Sequence, residues 1–515
     1  MTRTHPRHLR DTERKAQARG HIAPTCPEDA RATAPCHAGA SHPARREQDA
    51  RPTAPCHVGA SHPARREQDA RPAALRWASR ALLVLAAVLV PVDGTKFGLA
   101  MPFWTPLAPW PLMLYAVLNC RELPCVVRRY RGYFLLPALF VALSAIGWAT
   151  VALYPVPAAL SILGVMGALG CLAAIDIASR VEGRRFVRAL IVVLVCAYWA
   201  AFAVGVAQFA SIHLDIKPMR AFLTNLMQRE YLSDASAWGG GRPQFLFAEP
   251  SYIGMHLFGV LLPLRWLTRQ DDPKLSRHLS VLVCVFAAGS LLMGVGVRII
   301  IDTFVALAID IAVHTDPHRR ASVVRAVRRS VALVAGTVVV ALANQRILSI
   351  MERGMLIGDG SLSARIAQGL TPIIAGVLQP LRLLVGFGAG NSIVAYEAGL
   401  DTAKSALSGL GKPSMWSWIS KFTPESSFTM SAYTSVITDF GLVGLAALVA
   451  LVVRDVVRAR AACLSSGERA EARTYLWWAL LVTYLYLQFE GYAFYALPLL
   501  VWALRTRPLR AAKPV

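Results

Sequence analysis

The residues best placed to do chemistry stand where the chain turns apolar. In "GGGRPQFLFAEPSYIGMHLFGVLLPL", residues 239–264, the carboxylate of Glu249 sits against a long hydrophobic run. A carboxylate at a membrane boundary is partly desolvated. That makes it a better base than one in water and suits it to orient or deprotonate a hydroxyl. Tyr252 and His256 follow at i+3 and i+7, on the same face of a helix. A lone intramembrane His also serves simply for packing or hydrogen bonding. Six arginines, Arg220, Arg229, Arg242, Arg298, Arg365 and Arg382, fall in or beside the two longest segments between apolar runs. Guanidinium groups pair bidentately with phosphate oxygens and stay charged at any relevant pH, so such a set suits a diphosphate held near a bilayer. Plainer explanations stand beside these. Pro250 at a first helical position next to an acidic residue is ordinary helix-start chemistry, and Arg298 with Asp302 at i, i+4 makes a structural pair.

These residues need a scaffold, and the composition says which kind. Of 515 residues, 55% are hydrophobic and only 17% charged, and mean hydropathy is +0.45. Apolar stretches of bilayer-spanning length recur from residue 75 onward. The expected fold class is all-α, a polytopic membrane helical bundle. Twelve spans are read at 76–92, 97–118, 133–153, 157–179, 189–211, 249–267, 280–296, 299–313, 330–345, 429–453, 473–489 and 491–504. Lys and Arg fix the orientation, because cytoplasmic loops attract them. Of 54 basic residues, 26 fall in 119–132, 180–188, 265–279, 314–330, 454–474 and 505–515, another 15 in residues 1–80, and 13 on the opposite side. Both termini are therefore expected in the cytoplasm. The net charge of +23 is a topology signal and an attraction to anionic lipid, and needs no nucleic acid.

The chain divides accordingly. Residues 1–74 form a basic tail with a 20-residue repeat, "DARATAPCHAGASHPARREQ" and "DARPTAPCHVGASHPARREQ". Nearly without apolar residues, it is expected to be disordered. Its Cys36, His37, His42, Cys56, His57 and His62 fit no zinc spacing. Spans occupy 75–211 (five), 249–345 (four) and 429–505, with a cytoplasmic tail at 506–515. External loops lie at 212–248 and 346–428. Both are too long to be connectors, and function concentrates where such loops meet intramembrane polar groups. None of the cysteines lies in an expected external loop, so no disulfide is expected.

In the larger loop, Leu362, Ile366, Leu370 and Ile373/Ile374 recur at helical spacing from an N-cap at Ser361 or Ser363. "GFGAGNS", 386–392, follows as a tight turn; with no strand before it, it is not a nucleotide fingerprint. Beyond it "SSFTMSAYTSVITDFGLVGLAALVALVV" carries Gly441 and Gly444, whose spacing lets another helix approach closely.

The order of these pieces carries a resemblance: FxEPSYxG entering a span, a helix pair, a large loop with S-x-x-x-R and GxGxG, then "DFGLVG". Over about residues 75–505 the chain resembles the bacterial O-antigen polymerase and O-antigen ligase family, the Wzy-like and WaaL-like membrane glycosyltransferases. The resemblance implies a GT-C-like enzyme of the bacterial cytoplasmic membrane, without metal or cofactor. Its substrate would be an undecaprenyl-diphosphate-linked oligosaccharide, joined on the external face into O-antigen, capsule or exopolysaccharide. A flippase and a chain-length regulator would be its partners. Glu249 would then act on the acceptor hydroxyl and Arg365 on the departing diphosphate. Arg242, Arg298, Arg382, Tyr252 and His256 would line the substrate. Family ligases are expected to use a His in or after the large loop; this chain has none after His318, which favours polymerisation. A transporter would show two related halves, and none is seen. A dolichol-phosphate type of enzyme would need an acidic pair in the first external loop, where "VDGTKFG" offers only Asp93. A purely structural assembly protein explains none of the loop features.

Overall fold

The computed structural model describes residues 72–97, 106–233, 240–354, 360–408, 413–487 and 495–511. The chain divides into two units, Met1–Pro55 and Cys56–Val515. The first, and nearly all of the tail with its repeat, lies outside the described residues. Among the described residues there are no strands, only one isolated antiparallel bridge between Thr95 and Met227.

The helices in chain order are α1 (Ala73–Leu89), α2 (Pro109–Leu118), α3 (Leu123–Arg129), α4 (Arg131–Thr150), α5 (Pro155–Val181), α6 (Arg184–His213) and α7 (Lys217–Leu226). A broken helical run then begins at Pro250. After it come α8 (Pro273–Leu292), α9 (Val297–His314), α10 (Arg320–Leu342), α11 (Gln345–Arg353), α12 (Gly360–Leu378) and α13 (Pro380–Val385). The last are α14 (Ser392–Ala406), α15 (Pro413–Ile419), α16 (Ala432–Ser465), α17 (Arg469–Tyr486) and α18 (Ala496–Ala511). Starts follow familiar chemistry. Prolines open α2, α5, α7, α8 and α13, and the Asp272 carboxylate accepts from the Leu275 N–H at 3.1 Å to cap α8.

Among the described residues five helices, α4, α5, α6, α8 and α16, are long and apolar enough to cross a membrane; α10 with Ile347–Arg353, bent by 77°, makes a sixth if the pair is one span. This is a membrane protein. A helix falls in each of the twelve intervals expected from the sequence, but the others are shorter, broken or charged. In 97–118 the described helix is only Pro109–Leu118, and α9 carries Arg298, Asp302 and Asp310.

Two corrections concern which faces are buried. On α12 the small and polar stripe Ser363, Ala367, Gln368, Thr371 and Ala375 is buried, while Leu370 is exposed. The aliphatic residues of the expected helical pattern are not the ones most deeply buried, because small residues let the backbones of α12 and α14 meet. At that seam α14 comes so near that a Cβ on Gly399 would lie 2.3 Å from the Thr371 carbonyl oxygen. The second correction concerns the arginines expected on the cytoplasmic side, several of which are held in ion pairs rather than facing lipid headgroups. Asp176, fully buried, accepts from Arg129 at 2.8 Å and Arg180 at 2.9 Å, and Asp455 accepts from Arg505 at 2.6 Å. These pairs join α3, α5, α16 and α18.

The glycine turn is tight, as its composition predicts. Gly386, Gly388 and Gly390 have φ of +86°, +97° and +79°. The turn lies against the kink of α16, where Gly441 (φ +69°) would place a Cβ 2.1 Å from the Leu384 carbonyl oxygen. The Phe387 N–H donates to Thr438 O at 2.7 Å. Gly390→Ala adds left-handed strain to a collision with the Ala158 backbone nitrogen, 2.3 Å away. Gly467→Ala, at φ +82° with nothing within 4 Å, carries the strain alone. In thermal unfolding of the purified protein, Gly390→Ala should cost several kcal/mol and Gly467→Ala about 1 kcal/mol.

Candidate functional site

Glu249 is delivered by a pinned segment. On α6 the Gln208 side-chain oxygen accepts the N–H groups of Gln244 at 3.0 Å and Phe245 at 2.7 Å, while its amide donates to Phe245 O at 2.8 Å. This holds Phe245 at φ +59°, a conformation uncommon for a bulky residue. From the other side the segment after α1 closes down. The Gly94 N–H donates to Leu246 O at 2.9 Å, and a Cβ at Gly94 would sit 2.1 Å from the Phe247 carbonyl carbon. Asp93 accepts from the Ala248 N–H at 3.0 Å and meets His256 Nε2 at 2.9 Å; His256 Nδ1 in turn meets the Tyr198 hydroxyl at 2.8 Å.

The helical run that follows is a 3-10 turn (Pro250–Tyr252), a short α segment (Ile253–His256), a π segment (Leu257–Leu261) and a second α segment (Leu262–Thr268). Glu249 occupies its N-cap with Pro250 in the first position, but its carboxylate caps no backbone N–H. Helix-start chemistry therefore explains the proline and not the acid. Instead the carboxylate, 6% exposed with its residue, is held by Arg229 at Oε1 and by the Ser251 hydroxyl at 2.9 Å on Oε2. Arg365 of α12 stands 3.8 Å from the same Oε2. These are the surroundings of an ionised carboxylate: the arginines and Ser251 outweigh its burial, so Glu249 is a weaker base than the desolvated carboxylate expected from the sequence.

A second carboxylate lies alongside. Arg298, in the first turn of α9, stands 3.4 Å from Asp302 Oδ2, and the Tyr484 hydroxyl of α17 donates to Asp302 Oδ1 at 2.7 Å. The i, i+4 pair expected from the sequence is thus present. Gly254 of the broken run makes room for it, since a Cβ there would lie 2.1 Å from Asp302 Oδ2. Arg242 lies at the same helix start, donating to Val295 O at 3.4 Å with its guanidinium 5.2 Å from the Tyr231 ring centre. Burial, and then the charge of Glu249, push the Tyr231 hydroxyl pKa well up, so it stays neutral.

Of the residues singled out from sequence, Glu249, Arg365, Arg298 and Arg242 are joined through this network, and Tyr252 sits one turn into the helical run. Two lie elsewhere. Arg382 on α13 donates to the Thr150 hydroxyl of α4 at 2.6 Å. His256 faces Asp93 and Tyr198, not Glu249, because Glu249 itself is extended and a 3-10 turn follows it, so the α-helical i+7 register is not kept. Arg229 was legible only as one of six arginines. Its place depends on the Gln244 amide, which donates to Arg229 O at 3.0 Å, a tertiary contact with no sequence signature. Tyr484 gave one weak signal, a hydroxyl in an apolar span.

No family model matches the chain, and neither a curated protein nor a solved structure matches it. The chemistry must be read from the side chains. Arg229, Arg298 and Arg365 oppose Glu249 and Asp302, three positive charges against two, and Arg242 adds a fourth. The positive end of α9 points the same way. The cluster can therefore accept an anion while keeping one carboxylate able to receive a proton. Arg365 is its more open member, with 20% of its side chain accessible against 9% for Arg229.

Removing Arg229 alone leaves Glu249 buried with its shortest-range partner gone, which should cost about 3–5 kcal/mol. In a double-mutant cycle of Arg229→Ala with Glu249→Ala, the two losses should fail to add by about 1 kcal/mol or more. Additive losses in unfolding of the detergent-solubilised protein would mean the pair is not coupled. Gly254→Ala, by displacing Asp302, should lower the melting temperature by several degrees, about 1–3 kcal/mol.

Proposed function

We propose that the chain is a membrane glycosyltransferase that joins polyprenyl-diphosphate-linked oligosaccharide units into a surface polysaccharide. It works on the external side of a bacterial cytoplasmic membrane through a twelve-span, GT-C-like bundle with cytoplasmic termini. The observation that carries this is a buried carboxylate set in a surplus of guanidinium groups. An acceptor hydroxyl needs a base and a departing diphosphate needs fixed positive charge, and this cluster supplies both.

Glu249 takes the proton as the acceptor oxygen attacks the anomeric carbon of the donor's first sugar. The bond from that carbon to the diphosphate oxygen breaks, and the electron pair leaves with the diphosphate. Arg365, Arg298 and Arg242 stabilise the charge that develops there. Arg229 and Ser251 hold the carboxylate in place throughout. Because no His follows His318, polymerisation is favoured over ligation of finished polymer to a final acceptor.

The test is the glycan ladder of a deletion strain carrying wild-type, Glu249→Gln, Arg365→Ala or Arg382→Ala protein. With Glu249→Gln and Arg365→Ala, polymer should fall at least roughly a hundredfold, leaving single lipid-linked units. Arg382→Ala, whose partner is Thr150, should keep a full ladder. Long lipid-linked polymer accumulating in the deletion strain would instead identify a ligase. A ladder indifferent to Glu249→Gln and Arg365→Ala would remove the assigned site.

A further inference from the structure

An apolar cavity of 440 Å³ lies among α4, α5, α16, α17 and α18, of which only α17 also contributes to the charged cluster, through Tyr484. Phe140, Gly164, Val436, Val482 and Leu497 line it, with Tyr433 and Ser435 from the start of α16 and Thr483 from near the end of α17. The Tyr433 hydroxyl donates to Thr483 O at 3.1 Å. Thr483 precedes Tyr484, the residue that donates to Asp302 in the arginine cluster. Next to Tyr433 in the chain, the Thr434 hydroxyl donates at 3.3 Å to Gly369 O of α12, four residues past Arg365. This end of the cavity is thus joined by hydrogen bonds to α17, which carries Tyr484, and to α12, which carries Arg365. Sideways it opens past Val449 and Val453 of α16, 42% and 53% exposed, toward the hydrocarbon around the bundle. Walls as apolar as these favour an apolar guest.

We infer that this cavity holds the isoprenoid chain of the same lipid diphosphate whose headgroup the arginine cluster receives, an inference that rests on the proposed function. The tail enters between the helices at Val449 and Val453. Its polar end rises past Tyr433 and Thr483 to bring the diphosphate to Arg298 and Arg365. The cavity thereby selects for a long branched hydrocarbon, while the arginines select for the diphosphate.

The test is equilibrium binding of farnesyl diphosphate and of inorganic pyrophosphate to the full-length chain in phosphatidylcholine nanodiscs. Wild type should prefer farnesyl diphosphate roughly tenfold or more, as burial of several apolar carbons requires. Ala479→Phe narrows the wall, and Val449→Trp blocks the mouth without entering the packed interior. Either should abolish the preference while leaving pyrophosphate affinity unchanged, whereas Arg365→Ala should weaken both ligands. If both cavity variants keep the farnesyl preference, or if wild type binds pyrophosphate with no preference, the cavity assignment is wrong and the diphosphate site stands. Displacement of farnesyl diphosphate by phosphatidylglycerol at equal concentration would make the occupant an acyl chain and also overturn the assignment. Binding of neither ligand by wild type would overturn the diphosphate site and the cavity assignment together.

Discussion

A carboxylate taken out of water must be matched by charge and hydrogen bonds, and Glu249 imposes that requirement on everything around it. It is met from three directions, by Arg229 of the segment after α7, Ser251 of its own turn and Arg365 of α12. Each contributor needs support of its own. Gln244 holds the Arg229 backbone, Gln208 and Asp93 hold the segment that presents Glu249, and α14 packs on the small face of α12 to set Arg365. The nearby Asp302 repeats the pattern with Arg298 and Tyr484. The two carboxylates do not neutralise the arginines, and the residual positive charge is what an anionic substrate would meet.

The scaffold is suited to holding such a cluster still. Charged groups at membrane depth cannot fall back on water, and those of the cluster are held by partners within the protein. Departures from regular helix fall where backbone has to approach backbone or re-aim a side chain. The π segment after His256, the kink at Gly441 and the glycine turn at 386–390 are of this kind. The fully buried carboxylates Asp176 and Asp455 play a comparable part at the other end, tying helices together through arginine pairs.

The helical membrane class, the amphipathic segment after Ser361 and the tight turn at 386–392 were legible because each rests on local pattern. Hydropathy, a period of 3.6 and glycines needed for positive φ are all visible in one dimension. So was the pairing of Arg298 with Asp302, which is one helical turn. The buried face of α12 was not legible, because it is set by the close approach of α14 at Gly399, a tertiary contact that helical spacing does not carry. Arg229 and Asp93 could not be ranked from sequence, since their roles come from contacts across 20 and 155 residues of chain. His256 misled for a related reason. Same-face logic assumes an unbroken α-helix, and the run from Pro250 to Leu261 is not one.

The central claim is that a carboxylate held by arginines takes a proton while those arginines receive a diphosphate. It is tested most directly with purified protein in liposomes supplied with a polyprenyl-diphosphate-linked oligosaccharide. Glycan length and released polyprenyl diphosphate are followed together. The account predicts that wild type lengthens the glycan with one diphosphate released per linkage, and that Glu249→Gln binds the substrate without turning it over. Turnover by Glu249→Gln at the wild-type rate, or substrate bound by wild type with no lengthening, would contradict it.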